Sequence, residues 1–83
     1  MSFKALESVA LTRDVPEHGL RSGDLGAIVQ LLDPQSFEVE FVTANGRTLV
    51  LVTLGVADIR HLEANDLVAV RRLNRSAWPR RGA

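Results

Sequence analysis

The sequence predicts an all-β fold: five to six short antiparallel strands that curl into a small barrel. Short apolar runs of strand length alternate with turn residues, and no stretch sustains the 3.6-residue period of an amphipathic helix. The 83 residues, 46% of them hydrophobic and 24% charged, suffice for one small domain with a modest core. Closure into a barrel would remove the exposed edges of so small a sheet, and an open meander with a packed tail is the competing architecture.

The N-terminal third predicts one strand and one long loop. Residues 5–12 (ALESVALT) have the apolar content of a first strand, whereas residues 13–26 are rich in glycine and charge and predict a loop. Pro16 fixes its own φ within that loop. The positions expected to shape the loop and the tight turn into the second strand are Pro16, Gly19, Gly23, Asp24 and Gly26, with positive φ at Gly19 and Gly23.

The middle of the chain predicts a three-stranded antiparallel meander, with strands at residues 25–32, 37–42 and 47–54. The central strand, FEVEFV, alternates apolar and acidic residues at a strict period of two. A type I turn containing Pro34 joins the first two strands. The pair Asn45-Gly46 favours a type I′ hairpin between the second and third.

The C-terminal part predicts a short turn, a last strand and a flexible tail. Residues 56–60 are read as one helical or 3₁₀ turn after Gly55, followed by a short extended piece at residues 60–62. Residues 67–73 (LVAVRRL) alternate like a final strand. The expected organisation is therefore a β-domain at residues 1–73, followed by a basic tail at residues 74–83.

Charge is balanced in total but skewed along the chain. Residues 1–70 carry all ten acidic residues and five basic ones, whereas residues 71–83 carry five arginines and no acid. Such an asymmetry can mark a binding arm, but the plainer interpretation is a solvated terminus. Trp78 lies among these arginines, and tryptophan and arginine are enriched in binding hot spots.

Residues 14–29 (DVPEHGLRSGDLGAIV), 38–42 (EVEFV), 53–54 (TL) and 58–62 (DIRHL) resemble, in order, blocks of a family of small bacterial proteins, the domain of unknown function 4926. The resemblance implies an SH3-like barrel in the bacterial cytoplasm, with no established activity. It also implies a place in small two-gene operons, where one product binds and neutralises the other, as an antitoxin does.

Residues 23–29 are also similar, more weakly, to the glycine-rich turn and strand of KOW-type modules of ribosomal proteins and transcription elongation factors. Acidic residues outnumber basic ones in the loop before this strand. Since neutralisation of phosphate dominates nucleic-acid affinity, we do not expect this loop to bind RNA.

Candidates for chemistry are few. The chain has no cysteine, so a disulfide, a thiolate metal site and a cysteine nucleophile are excluded. His18 lies near Asp14 and Ser22 in the sequence, but no nucleophile elbow accompanies them. His61 has Asp58 and Glu63 as neighbours without a second histidine. We expect no catalysis, cofactor or metal, and we place both histidines in structural or solvated positions.

Glu38 and Glu40 share one face of the central strand, and the plain interpretation is a solvent face with an ion pair to Arg47 or Arg60. The run Leu49 to Leu54 is apolar on both faces, so either the strand is covered on both faces or one face meets a partner. We predict a cytoplasmic, non-catalytic module that binds a protein or a second copy of itself, without a membrane or small-molecule ligand. Nucleic-acid binding through the arginine-rich tail is the alternative. The candidate interaction residues are Leu49, Leu51, Arg71, Arg72, Arg75, Trp78, Arg80 and Arg81.

Overall fold

A computed structural model describes residues 2–73 of the chain. Its five strands are β1 (Ser8–Leu11), β2 (Leu25–Asp33), β3 (Ser36–Val42), β4 (Thr48–Gly55) and β5 (Ile59–His61). All neighbouring strands are antiparallel, and they form one sheet in the order β4-β3-β2-β1-β5. The predicted all-β class and antiparallel architecture are therefore confirmed.

The β2–β3–β4 meander follows the predicted pattern. Phe37, Val39 and Phe41 are buried and pair across the sheet with Leu54, Val52 and Val50. Two register shifts bend β2, whose first half also pairs with β1. Because β2 is shared in this way, one curved strand connects the meander to the β1–β5 pair.

The hairpin between β3 and β4 differs from the predicted type I′ turn. Gly46 has a φ of 84°, but Asn45 is not among the residues with positive φ, which a type I′ turn would require at both positions. The Gly46 N–H donates to the Thr43 carbonyl at 2.8 Å, and the Thr43 N–H donates to the Arg47 carbonyl at 2.9 Å. The hairpin therefore has a three-residue loop that ends in a left-handed glycine. Its Asn45 side chain accepts the Arg47 N–H at 3.2 Å and so holds the turn together.

One apolar core collects residues from all five strands. The core residues are Val9, Leu11, Val15, Leu20, Ile28, Phe37, Val39, Phe41, Val52, Leu54 and Ile59. Two of them, Val15 and Leu20, come from the loop after β1 and face each other through an isolated bridge. This loop also contains a 3₁₀ turn at Pro16–His18, which the sequence did not predict. The predicted turn after Gly55 is the 3₁₀ turn Val56–Asp58.

Glycines shape the loop as expected at two of three positions. Gly19 and Gly23 have φ values of 70° and 93°, as predicted. Gly26, however, lies inside β2 and not in the turn. A glycine is needed there because a Cβ atom would come within 2.7 Å of the Val39 side chain and 2.8 Å of the Phe41 ring. Its role is close packing of β2 against the buried face of β3.

Two predicted strands are corrected. The first strand is shorter than residues 5–12, because Leu6 takes a left-handed φ of 70° that no extended strand tolerates. Residues 67–73 form no strand at all. The physical reason is that the segment is held at both ends, by the ion pair of Asp66 with Arg60 and by that of Arg71 with Asp24. It spans these two anchors and pairs with neither open edge of the sheet, β4 or β5.

The two outer strands of the sheet are β4 and β5, and no ladder joins them within residues 2–73. The chain nevertheless passes directly from β4 to β5 through the short turn Val56–Asp58. Phe3 contacts β3 and β5, with its ring 5.3 Å from that of Phe37 and 4.0 Å from that of His61. The sheet thus curves around one core, and its closure as an SH3-like barrel stays a prediction.

Candidate interaction surface

The most exposed apolar part of the described chain is the segment of residues 67–70, here called the arm. Leu67, Val68 and Val70 expose 90%, 71% and 95% of their surface, and Ala69 is exposed as well. Within residues 2–73, no backbone hydrogen bond involves the arm. Four consecutive exposed apolar residues are unusual on a monomeric domain and indicate a contact surface.

An ion pair holds the N-terminal end of the arm. The Arg60 guanidinium on β5 donates two hydrogen bonds to the Asp66 carboxylate, at 2.9 and 3.0 Å. The Asp66 carboxylate also accepts the Glu63 N–H at 2.7 Å. These donors, the Arg60 guanidinium first, lower the pKa of Asp66 from 3.8 to about 2. Asp66 is therefore charged at neutral pH and fixes the turn from which the arm departs.

A second ion pair holds the C-terminal end of the arm. The Arg71 guanidinium donates to both carboxylate oxygens of Asp24, with Nε 2.8 Å from Oδ1, and to the Gly19 carbonyl at 2.9 Å. Burial raises the pKa of Asp24, but the hydrogen bonds from Arg71 and from the Arg21 N–H outweigh that effect and lower it below 3.8. Arg71, which the sequence placed among the partner-facing residues, thus anchors the arm against the chain's own loop.

The arm therefore extends between two fixed points, from β5 to the start of β2. β1 lies between those two strands in the sheet, and the arm connects them without joining a ladder. An apolar segment that is fixed at both ends loses less conformational entropy on binding than a free one. The geometry suits it to receive a partner.

The outer edge of β4 is a second exposed feature. β4 has eight residues and, among residues 2–73, a strand neighbour only on its β3 side. Leu51 is 50% exposed on it, whereas Leu49 is half-buried and packs against the core. Val52 and Leu54 on the opposite face are buried, so one apolar face of β4 is covered and the face of Leu49 and Leu51 is partly exposed. An uncovered apolar edge of this length is a template for strand addition.

Two carboxylates lie beside this edge on the outer face of β3. Glu40 accepts the hydroxyl of Thr48, and Glu38 accepts the hydroxyl of Thr53 at 3.2 Å. The expected ion pairs with Arg47 or Arg60 do not form, because Arg60 is engaged by Asp66, and no salt bridge in the described chain involves Arg47. The outer β3–β4 face is therefore acidic and not neutralised by the described residues.

The two histidines differ in their surroundings. His18 is exposed in the first 3₁₀ turn. His61 stacks on Phe3, and its Nδ1–H donates to the Glu7 carboxylate. Burial raises the pKa of Glu7, but its hydrogen bonds from His61 and from the Lys4 N–H outweigh this and lower it below 4.5.

Asp58, the sequence neighbour considered with His61, has a different role. It accepts the Arg13 guanidinium at 2.8 Å and the Gly55 N–H at 2.9 Å. Among residues 2–73, no group of three or more side chains is arranged to hold a metal ion. His61 thus joins β5 to Glu7 before β1, whereas Asp58 joins the turn before β5 to Arg13.

The remaining predicted interaction residues divide into two sets. Arg72 is exposed next to the anchored Arg71. Arg75, Trp78, Arg80 and Arg81 lie outside the described residues. The sequence did not indicate that Asp24 would be the partner of Arg71, because the two residues are 47 positions apart and only the fold brings them together. It did mark residues 67–70 as apolar and strand-like, which was the available signal for the arm.

Comparison with known proteins yields one match. The model of the family described as Domain of unknown function (DUF4926) covers residues 5–61, more than half of the chain. No curated protein and no solved structure matches the chain. The arm begins six residues beyond the matched region. Within residues 2–73, no helix has the length and apolar character needed to cross a membrane.

Proposed function

We propose that this chain, which belongs to the Domain of unknown function (DUF4926) family, is a non-catalytic module that binds another protein through the arm. The observation that carries the proposal is the arm itself: four exposed apolar residues without a backbone partner in the described chain, held between two ion pairs. Because the arm lies beyond the matched residues, the proposed contact rests on this chain's own residues.

Strand addition is the contact that this geometry favours. An extended segment pairs with the open edge of a sheet through backbone hydrogen bonds, and alternate side chains enter pockets on either face. Leu67 and Ala69 then face one side of the added strand, and Val68 and Val70 the other. The ion pairs at Asp66 and Arg71 limit the pairing to the residues between them. We place the module in the cytoplasm of a bacterium, as the family resemblance implies.

Affinity purification of the full chain from cells that express it tests the proposal. The double variant Val68→Glu, Val70→Glu places charge on the arm without removing a contact of the core. The matched control is Leu6→Glu, which changes another apolar residue that is 81% exposed and is hydrogen-bonded through its N–H to Ile28 of β2. We expect the wild type and the control to retain the same partner and the double variant to lose it. A second copy of the chain counts as a partner in this test.

The same purification separates this proposal from nucleic-acid binding through the tail. Nuclease treatment leaves a protein complex intact, whereas recovered nucleic acid that is lost at high salt indicates the alternative. Equal recovery of protein by all three chains, or recovery of nucleic acid alone, would contradict protein binding by the arm.

A further inference from the structure

The described chain carries two unpaired features of complementary kind: the arm, which lacks a sheet, and the edge of β4, which lacks a further strand. We propose that the partner is a second copy of this chain, and that the arm of each copy pairs as an added strand with the β4 edge of the other. This inference rests on the proposed function and goes beyond it by naming the partner and the second contact surface.

The lengths of the two features are compatible. The arm has four residues, and the β4 strand Thr48–Gly55 has eight, so the whole arm fits within the edge. The other free edge is β5, which has three residues and is connected to the arm by residues 62–66. In the described chain the arm makes no backbone hydrogen bond with β5, although the Arg60–Asp66 ion pair holds its start beside that strand. The longer edge therefore offers the larger number of backbone hydrogen bonds.

The charges of the two features are complementary. Arg72 follows the arm directly, is exposed, and has no acidic partner within the described chain. On the other side, Glu38 and Glu40 line the outer face beside β4 and accept only threonine hydroxyls among the described residues. Strand addition at β4 brings the end of the arm near this acidic face. Because β4 lies between the added strand and β3, the two backbones are about 10 Å apart, and the attraction between Arg72 and the carboxylates acts over that distance and is screened by salt.

The apolar surfaces are complementary as well. Leu51 is half-exposed on the free strand β4, next to the position that an added strand would take. Side chains of the arm would cover it, and the arm's own exposed residues would be covered in return. When each of two copies places its arm on the β4 edge of the other, both arms and both edges are used, and the assembly closes as a two-fold dimer. Two such short pairings make a small interface, and we expect a dimer of micromolar affinity.

Proline substitution in the arm gives the first test. The arm makes no backbone hydrogen bond with the described chain, so proline there leaves the fold intact, but it removes an N–H that a sheet ladder needs. Successive N–H groups of a strand point in opposite directions. Of the two single variants Val68→Pro and Ala69→Pro, at least one therefore loses a hydrogen bond to the partner.

Sedimentation equilibrium of the full chains measures the effect. We expect at least one arm variant to raise the dimer dissociation constant about tenfold, since each dimer loses two hydrogen bonds. The matched control is Ala64→Pro in the turn before the arm, where Glu63 and Asp66 are already joined by a turn hydrogen bond of 3.0 Å. The control should dimerise as the wild type does. Equal dimerisation of all four chains would overturn the inference.

Disulfide trapping tests which edge is used, and the absence of natural cysteines makes it specific. A chain with Ala69→Cys is mixed with a tagged chain that carries Thr53→Cys on β4. The control chain carries Gln30→Cys on β2, which is exposed but inside the sheet. Mixed disulfides with Thr53→Cys but not with Gln30→Cys support the β4 edge, and equal trapping of both contradicts it.

Self-association through the arm and binding of a different protein through the arm give different outcomes. A strictly monomeric wild type that still retains another protein through the arm would overturn the second-copy assignment alone. A monomeric chain whose arm variants alter no protein interaction would overturn both.

Discussion

The anchor between Arg71 and Asp24 provides the sharpest test of the structure, through the variant Arg71→Ala. Removal of this guanidinium leaves the Gly19 carbonyl without its side-chain donor, and it leaves the Asp24 carboxylate, which is 18% exposed, with the Arg21 N–H alone. A hydrogen bond to a charged group is worth roughly 1.5–3 kcal/mol in a buried site, whereas an exposed ion pair is worth about 0–1 kcal/mol. The Arg71 side chain is 28% exposed, between these limits.

We therefore expect Arg71→Ala to lower the free energy of unfolding by about 1–2 kcal/mol, because its partners are partly screened by water. For a domain of this size, that corresponds to a fall in Tm of roughly 4–16 °C. Circular dichroism during thermal and urea unfolding measures both quantities. The matched control is Arg72→Ala, which removes the same charge from the neighbouring, exposed residue and should change stability little.

The pH dependence follows from the lowered pKa of Asp24. A carboxyl group whose pKa is lower in the folded chain than in the unfolded chain stabilises the fold above its ordinary value, here 3.8. That contribution is lost as the pH falls from 3.8 through the lower pKa of the folded state. The stability gap between the wild type and Arg71→Ala is thus full at neutral pH and narrows in strong acid. Equal stability of Arg71→Ala and Arg72→Ala at neutral pH would refute the reasoning, as would a gap that does not change with pH.

Three further predictions concern the sheet and its turns. Gly26→Ala should cost about 1–3 kcal/mol in urea unfolding, because the new Cβ lies 2.7 Å from the Val39 side chain; an effect below about 0.5 kcal/mol would contradict this packing. Gly46→Ala should cost about 1–2 kcal/mol, from its left-handed backbone alone, since no atom lies within 4 Å of the added Cβ; a neutral result would show that the turn has another conformation. Asp58→Asn should lower stability at neutral pH, because hydrogen bonds from Arg13 and the Gly55 N–H lower the pKa of Asp58 below 3.8; a difference from the wild type that persists in strong acid would argue against it.

The meander was predictable from sequence because its information is local. The alternation of Phe37, Val39 and Phe41 with acidic residues marks both the strand and its buried face. Pro34 and Gly46 mark the places where the chain turns. Even here the hairpin type was not determined by its residues, since an Asn-Gly pair is compatible with both a two-residue and a three-residue loop.

The sequence by itself determined which segments are extended, where most of them turn, and which side chains of β3 are buried, because period, proline and glycine act over a few residues. Only the tertiary structure decided that β5 pairs with β1 and that residues 67–70 stay outside the sheet. It alone also brought Arg71 to Asp24 across 47 positions of the chain. The physical reason is that an alternating pattern gives a segment the capacity to pair, whereas contacts between residues far apart in the chain decide whether the segment lies beside an open edge.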